Sequence, residues 1–232
     1  MRSYPIIVTC EHAGNHIPDD YKHLFAEEEN VLGTHKGWDI GALSIAQAIS
    51  KELDAELYYT EISRLLVECN RSINTPDLFS KFTESLDFEE KKKIMDLYYY
   101  PYRNKVEEAI AKAVKNTTVV HLSIHSFTPI WNGNERKVDI GLLFDDDRDD
   151  EFKFCENWKT SLENTFGNMS IKYNEPYHGK EDGFTTHLRQ KYSENQYLGI
   201  ELEVNQKWVY NSVSKRIAST LKGLIPFAPS FG

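Results

Sequence analysis

TTVVHLSIHSF, residues 117–127, decides how this chain is read. Val119, Val120 and Ile124 are β-branched, and two histidines, His121 and His125, stand four positions apart among the apolar residues. On a helix such a pair would share one face a turn apart, close enough to grip one metal ion. The β-branched residues favour a strand instead. There the two histidines share a face but lie about 13 Å apart, at roughly 3.3 Å per residue. Two nitrogens that each sit about 2 Å from one zinc ion are separated by no more than about 4 Å. One metal therefore takes at most one of them. His125, at the carboxyl end of the strand, is the candidate, and His121 is expected to serve the scaffold.

Outward from this strand, two kinds of apolar pattern alternate. PIIVTC (5–10), AELYYTEI (55–62), DIGLLFD (139–145) and YLGIELEVN (197–205) are short apolar runs that read as strands. DIGALSIAQAISKEL (39–53) has helical apolar spacing at Ile40, Leu43, Ala46, Ile49 and Leu53, with Asp39 placed to cap its start. Residues 87–116 form a longer helical pattern, which Pro101 should kink or divide. The acidic DDDRDDEF (145–152) reads as a solvated loop leading into a helix through Leu162, and VSKRIASTLKGLI (213–225) as a closing helix. No repeat or low-complexity linker interrupts the pattern. The expectation is a single α/β domain over residues 1–232, with a mixed, largely parallel central sheet flanked by helices.

Composition removes whole classes of partner. A net charge of −9 argues against nucleic acid, whose phosphates want a basic field. No stretch approaches the roughly 18–20 unbroken apolar residues that cross a bilayer, so no membrane partner is expected. The opening MRSYPIIVTCEH has too short an apolar run for a secretion signal and reads as a first strand. Cys10, Cys69 and Cys155 show no CxxC spacing and are expected as buried free thiols in a cytoplasmic protein.

Open sheets of this kind place their sites at the carboxyl ends of strands. In VTCEHAGNHIP (8–18) a strand ends and His12 follows in the turn, the same arrangement as His125. Glu201 and Glu203 share one face of a strand about 7 Å apart, and buried carboxylates are costly unless paired or put to work. One of them is a candidate general base. ISRLLVECNRS (62–72) supplies Arg64, Asn70 and Arg71, and guanidinium groups suit bidentate capture of a carboxylate.

Taken in order, EHAGNHIP (11–18), GWDIGA (37–42), ISRLLVECNRS, LSIHSF (122–127), HGKEDGFTTHLRQKY (178–192) and GIELEVN (199–205) resemble the N-formylglutamate amidohydrolase family. That family is in turn similar to the zinc carboxypeptidases and aspartoacylase. The resemblance implies their fold and a zinc ion held by His12 and His125. It also implies Glu203 as the base that activates water, and Asn70 and Arg71, with Arg64 nearby, as the holders of a substrate carboxylate. The carboxypeptidase pattern wants a glutamate three residues after the first histidine, where this chain has Asn15. Asp39 is therefore the expected third ligand and Glu11 its alternative. Ser126, Glu201 and Gly183 are further candidates for the site. The glycines of the 178–192 loop are spread wider than the family's usual pair, and this loop is expected to shape the substrate pocket, with His178 and His187 available to it.

The implied reaction is hydrolysis of an N-formyl or other N-acyl amino acid, such as N-formyl-L-glutamate, to formate and the free amino acid. Three other readings share these residues. One is a metal hydrolase for another N-acyl amino acid or small peptide, and the second is a non-catalytic binder of an acidic metabolite. The third is a metal-free amidase using Cys10 beside His12, although adjacent residues on an extended chain point to opposite faces.

Overall fold

The sheet is organised around residues Val119–Phe127, a strand buried along its whole length. A computed structural model describes residues 4–224 of the chain. Among the described residues eight strands are formed: β1 (Ile6–Cys10), β2 (Glu56–Tyr59), β3 (Val119–Phe127), β4 (Ile130–Trp131), β5 (Asn134–Glu135), β6 (Ile140–Leu143), β7 (Ile171–Tyr173) and β8 (Tyr197–Asn205). Six of them make one sheet in the order β2-β1-β3-β8-β6-β7. All its pairings are parallel except that of β6 with β8, so the sheet is mixed and largely parallel as expected.

Six α-helices accompany it among the described residues: α1 (Ala42–Leu53), α2 (Phe88–Ile94), α3 (Tyr100–Ala113), α4 (Asp149–Phe166), α5 (Phe184–Lys191) and α6 (Asn211–Lys222). Strand alternation separates two cores. Val8 and Cys10 of β1, Val120, Leu122 and Ile124 of β3 and Ile200, Leu202 and Val204 of β8 pack with α1, α4 and α6. The opposite face is packed by α3 and α5 through Val106, Ile110 and Leu188. The intervening strand residues Thr9, His121, Ser123, His125, Glu201 and Glu203 therefore share that second face. Cys10 points away from it into the first core, which removes the geometry for a Cys10–His12 pair.

Several local expectations change. Asp39 does not cap α1: the N-cap is Gly41, in a left-handed conformation (φ 84°), and no side chain caps the helix. The helical pattern at 87–116 is divided as expected, by a π-turn at Met95–Tyr99 that ends just before Pro101. Pro101 lies in the first turn of α3, where its missing N–H is tolerated. The acidic run is only partly a loop, since α4 starts inside it at Asp149 and Glu151 is wholly buried. Glu151 accepts from Arg189 Nε at 3.1 Å and from the Gly199 amide at 3.0 Å. The 178–192 segment is a loop only to Gly183, after which α5 begins. The closing helix ends at Lys222, and Ile225 of its expected span lies outside the described residues. The β4–β5 hairpin turns on Asn132-Gly133, both with positive φ. That dipeptide is a hairpin signature visible in the sequence itself.

Candidate active site

The carboxyl ends of β1, β3 and β8 open onto a cavity of about 470 Å³. Three buried side chains from separate segments converge there: His12 after β1, Asp39 before α1 and His125 on β3. Asp39 Oδ2 lies 3.2 Å from His12 Nδ1 and 2.9 Å from His125 Nδ1. The backbone sets this up, because the Asp39 amide donates to His12 O at 3.0 Å and the Ser126 amide donates to Asp39 Oδ2 at 3.3 Å. The Ser126 hydroxyl is turned away from the centre, donating to Ile40 O at 2.8 Å.

Each imidazole is backed by a carboxylate on its far side. His12 Nε2 meets Glu68 Oε1, and His125 Nε2 lies 2.9 Å from Ser123 Oγ and 3.3 Å from Glu11 Oε2. Both rings thus present Nδ1 to one point. Glu11, the alternative third ligand, stands behind His125 rather than at that point. Arg64 reaches Glu68 Oε2 at 2.6 Å and Asp39 Oδ1 at 3.5 Å, so its guanidinium is engaged with the acidic centre. The sequence of residues 62–72 alone gives Glu68 no evident role. Its signals were its spacing of four from Arg64 and its place two residues before Asn70.

Charge is concentrated here against the cost of burial. Burial alone would raise the carboxyl of Asp39, but the charges and hydrogen bonds of His12 and His125 hold it well below the ordinary range. Glu68 is likewise lowered despite burial, by Arg64 and His12, and Glu11 by His125, His121 and Ser123. Burial opposes a charged His125, yet Asp39 and Glu11 raise it well above an ordinary histidine. His121 shows the contrast: buried between Thr9 Oγ1 (2.8 Å) and Tyr197 Oη (2.6 Å), it falls to about 4 through desolvation. The donor set passes the test for a metal. One ring nitrogen from each imidazole and one carboxylate oxygen lie within 4.8 Å of one another, and nitrogen and oxygen ligands in that ratio suit zinc.

Glu203 stands opposite His125 in the β3–β8 register and lines the cavity. Its Oε2 is buried without a hydrogen-bond partner among the described residues. Burial pushes its carboxyl up to about 8; the charges of Asp39 and Glu201 add to the rise, and those of His125 and Arg64 oppose it. Glu201, two residues earlier on the same wall, accepts from the Thr185 hydroxyl. Gly183 is extended here, and a Cβ on it would stand 3.4 Å from Glu201 Oε1 and 3.5 Å from Asn70 Oδ1.

The other side of the cavity is formed where residues 70–72 meet the 178–183 loop. Asn70 Oδ1 accepts from the Phe184 amide at 2.8 Å, Arg71 Nη1 donates to Asp182 O at 2.6 Å, and the Ser72 amide donates to Asp182 Oδ2 at 3.0 Å. Among the described residues Arg71 has no carboxylate partner. Asn15 is exposed and ties the loop through Leu32 O at 2.9 Å. His178 lines the cavity, whereas His187 lies 3.0 Å from Glu107 on α3, away from it.

Three solved structures are similar to this chain to different degrees. Gene product Atu2144 from Agrobacterium tumefaciens is 29% identical, with a TM-score of 0.80 over 95% of this chain and 88% of that one. An N-acetylmuramoyl-L-alanine amidase from Clostridium difficile 630 is 11% identical, with a TM-score of 0.46 over 96% of this chain and 94% of its own. Murine aminoacylase 3 is 11% identical, with a TM-score of 0.44 over 97% of this chain and 65% of that one. No curated protein matches the sequence. The family model of N-formylglutamate amidohydrolase matches residues 4–210, nearly the whole described chain, and the chain belongs to that family of amide hydrolases.

Proposed function

We propose that the chain is a zinc-dependent amidohydrolase that cleaves the amide of an N-formyl or other N-acyl amino acid, with N-formyl-L-glutamate as the leading substrate. His12, Asp39 and His125 would hold the metal, whose charge polarises an amide carbonyl and makes water more acidic. Glu203 takes a proton from the attacking water and delivers it to the leaving nitrogen. Its Oε2, without a hydrogen-bond partner among the described residues, and its carboxyl, pushed up to about 8 by burial, fit a group that exchanges a proton near neutral pH, and this observation carries the reading. Arg71, which has no carboxylate partner among the described residues, holds the amino acid's carboxylate beside Asn70, and so orients the amide toward Glu203. Arg64 neutralises Glu68 and Asp39 rather than meeting substrate directly. The products are formate, or another small acid, and the free amino acid. Three buried free thiols suit a reducing compartment, and the reading places the enzyme in the cytoplasm.

The test is formate release from N-formyl-L-glutamate by zinc-loaded protein, beside a panel of N-acyl amino acids. Glu203→Gln should keep its zinc and lose turnover by roughly 10²–10⁴-fold, the usual contribution of a general base. Absence of turnover across the panel by zinc-loaded wild type would sink the proposal, and near-normal turnover by the variant would remove Glu203 as base.

A further inference from the structure

We propose that Glu11 is the positioning residue of His125, holding through Ser123 the imidazole form whose Nδ1 lone pair faces His12 and Asp39. The proposal rests on the reading that these three residues hold zinc, and it concerns what stands behind one of them. Glu11 directly follows β1, and its side chain is wholly buried beneath β3 and α3. Its two oxygens have different neighbours. Oε1 lies 2.8 Å from the Tyr102 hydroxyl of α3, and Oε2 lies 2.7 Å from the Ser123 hydroxyl and, more distantly, 3.3 Å from His125 Nε2 itself. Ser123 Oγ in turn lies 2.9 Å from His125 Nε2.

The direction of every bond in this chain follows from the donor inventory. A carboxylate offers only lone pairs, so both hydroxyls donate to it. A serine hydroxyl has a single hydrogen, and Ser123, giving it to Glu11, can only accept from His125. His125 Nε2 therefore carries a hydrogen, and in the neutral ring the lone pair is left on Nδ1. That atom is the one 2.9 Å from Asp39 Oδ2. Without the carboxylate, the Ser123 hydroxyl is free to turn and donate to Nε2, which moves the ring hydrogen to Nδ1 and blocks it as a ligand. Tyr102 has a part in this: its hydroxyl anchors the second oxygen, so Glu11 cannot swing away from Ser123. The arrangement is the outer-shell carboxylate that fixes tautomer and orientation in metal-bound histidines, reached here through a serine.

Two measurements on Glu11→Gln and Ser123→Ala test this. Zinc affinity by chelator competition should weaken roughly 10–100-fold in Glu11→Gln, the usual cost of losing such a partner. The second is the Nε2–H resonance of His125, which should be downfield and slow to exchange in the wild type. It should move upfield and exchange faster in both variants. This resonance is read with and without zinc, so it decides the role of Glu11 even if the protein takes up no metal and the hydrolase reading fails. Wild-type zinc affinity together with an unmoved resonance in Glu11→Gln overturns the proposal. So does the loss of one oxygen ligand from the zinc X-ray absorption spectrum of Glu11→Gln, which would make Glu11 itself a ligand. If Glu11→Gln does not fold, Ser123→Ala alone decides, and an unmoved resonance there overturns it.

Discussion

Burial of the Glu203 carboxyl should be readable as a stability signal. In the folded chain its carboxyl is pushed up to about 8, chiefly by burial, whereas in the unfolded chain it ionises at the ordinary value of about 4.3. Between those values the folded state holds a proton that the unfolded state has released. Stability of the metal-free protein must therefore fall as pH rises through this window. Glu203→Gln removes the effect, so the metal-free variant should melt above the wild type at about pH 8.5 and converge with it near pH 4. Equal melting temperatures throughout would show that Glu203 ionises in the fold as it does in water. The two histidines of β3 differ as sharply. His125→Ala should abolish zinc uptake by metal analysis. His121→Ala should retain zinc yet cost roughly 1–3 kcal/mol, because Thr9 and Tyr197 lose a buried hydrogen-bond partner. Identical behaviour would undo the distinction between strand end and strand middle. His12, Asp39, His125 and Glu203 were legible because each is a polar residue where an apolar run stops or should not admit one. Glu68, Ser123 and Tyr102 were not. Their importance arises only when a loop, a strand and a helix meet around the two imidazoles, and Tyr102 alone reads as one more residue on an amphipathic face.

Elements show the same boundary between what local chemistry dictates and what tertiary contacts add. The central strands were readable because β-branched runs bounded by polar residues have few alternatives. The start of α1 was not. An aspartate before a helical pattern ordinarily caps it, but Asp39 gives its side chain to two histidines and an arginine, and the turn is made by Gly41 instead. The start of α4 was misplaced for a related reason. Glu151 looked solvated among five aspartates and is buried because Arg189, 38 positions later, meets it. The Gly41 turn gives a test at this scale. Its φ of 84° strains any residue with a side chain, and a Cβ there would come within 2.4 Å of Val209 Cβ. Gly41→Ala should therefore cost about 1 kcal/mol or more and, by shifting Asp39 two residues away, weaken zinc binding as well. A melting curve and a chelator titration check both effects. If stability falls while affinity holds, Asp39 is positioned by its own hydrogen bonds and not by the turn.

At the scale of the whole molecule, parallel pairing of β1, β3 and β8 brings the same strand ends to one edge, so residues from 12 to 203 of the chain reach one cavity. Alternation then sends one set of apolar side chains of these strands into the first core, and gathers the polar ones on the other face beyond Ile7, Val119 and Tyr197. The result is a buried centre in which Glu11, Asp39, Glu68 and Glu203 face Arg64 and two imidazoles. Protons on the histidines can offset that negative charge, but a dication does so without occupying both Nδ1 atoms with hydrogen. Two consequences follow. Zinc uptake should release protons, measurable as acidification in weakly buffered solution. Because the three candidate ligands come from three separate segments, none of which holds the site alone, zinc should also stabilise the fold as a unit. At a free concentration 100 times its Kd it should add about 2.7 kcal/mol, or roughly 5–10 °C in melting temperature for a chain of this size. A chelator should reverse the shift. Tight zinc binding with neither proton release nor a change in melting temperature would place the metal on groups that are formed equally in the unfolded chain, and the convergence of His12, Asp39 and His125 would then need another explanation.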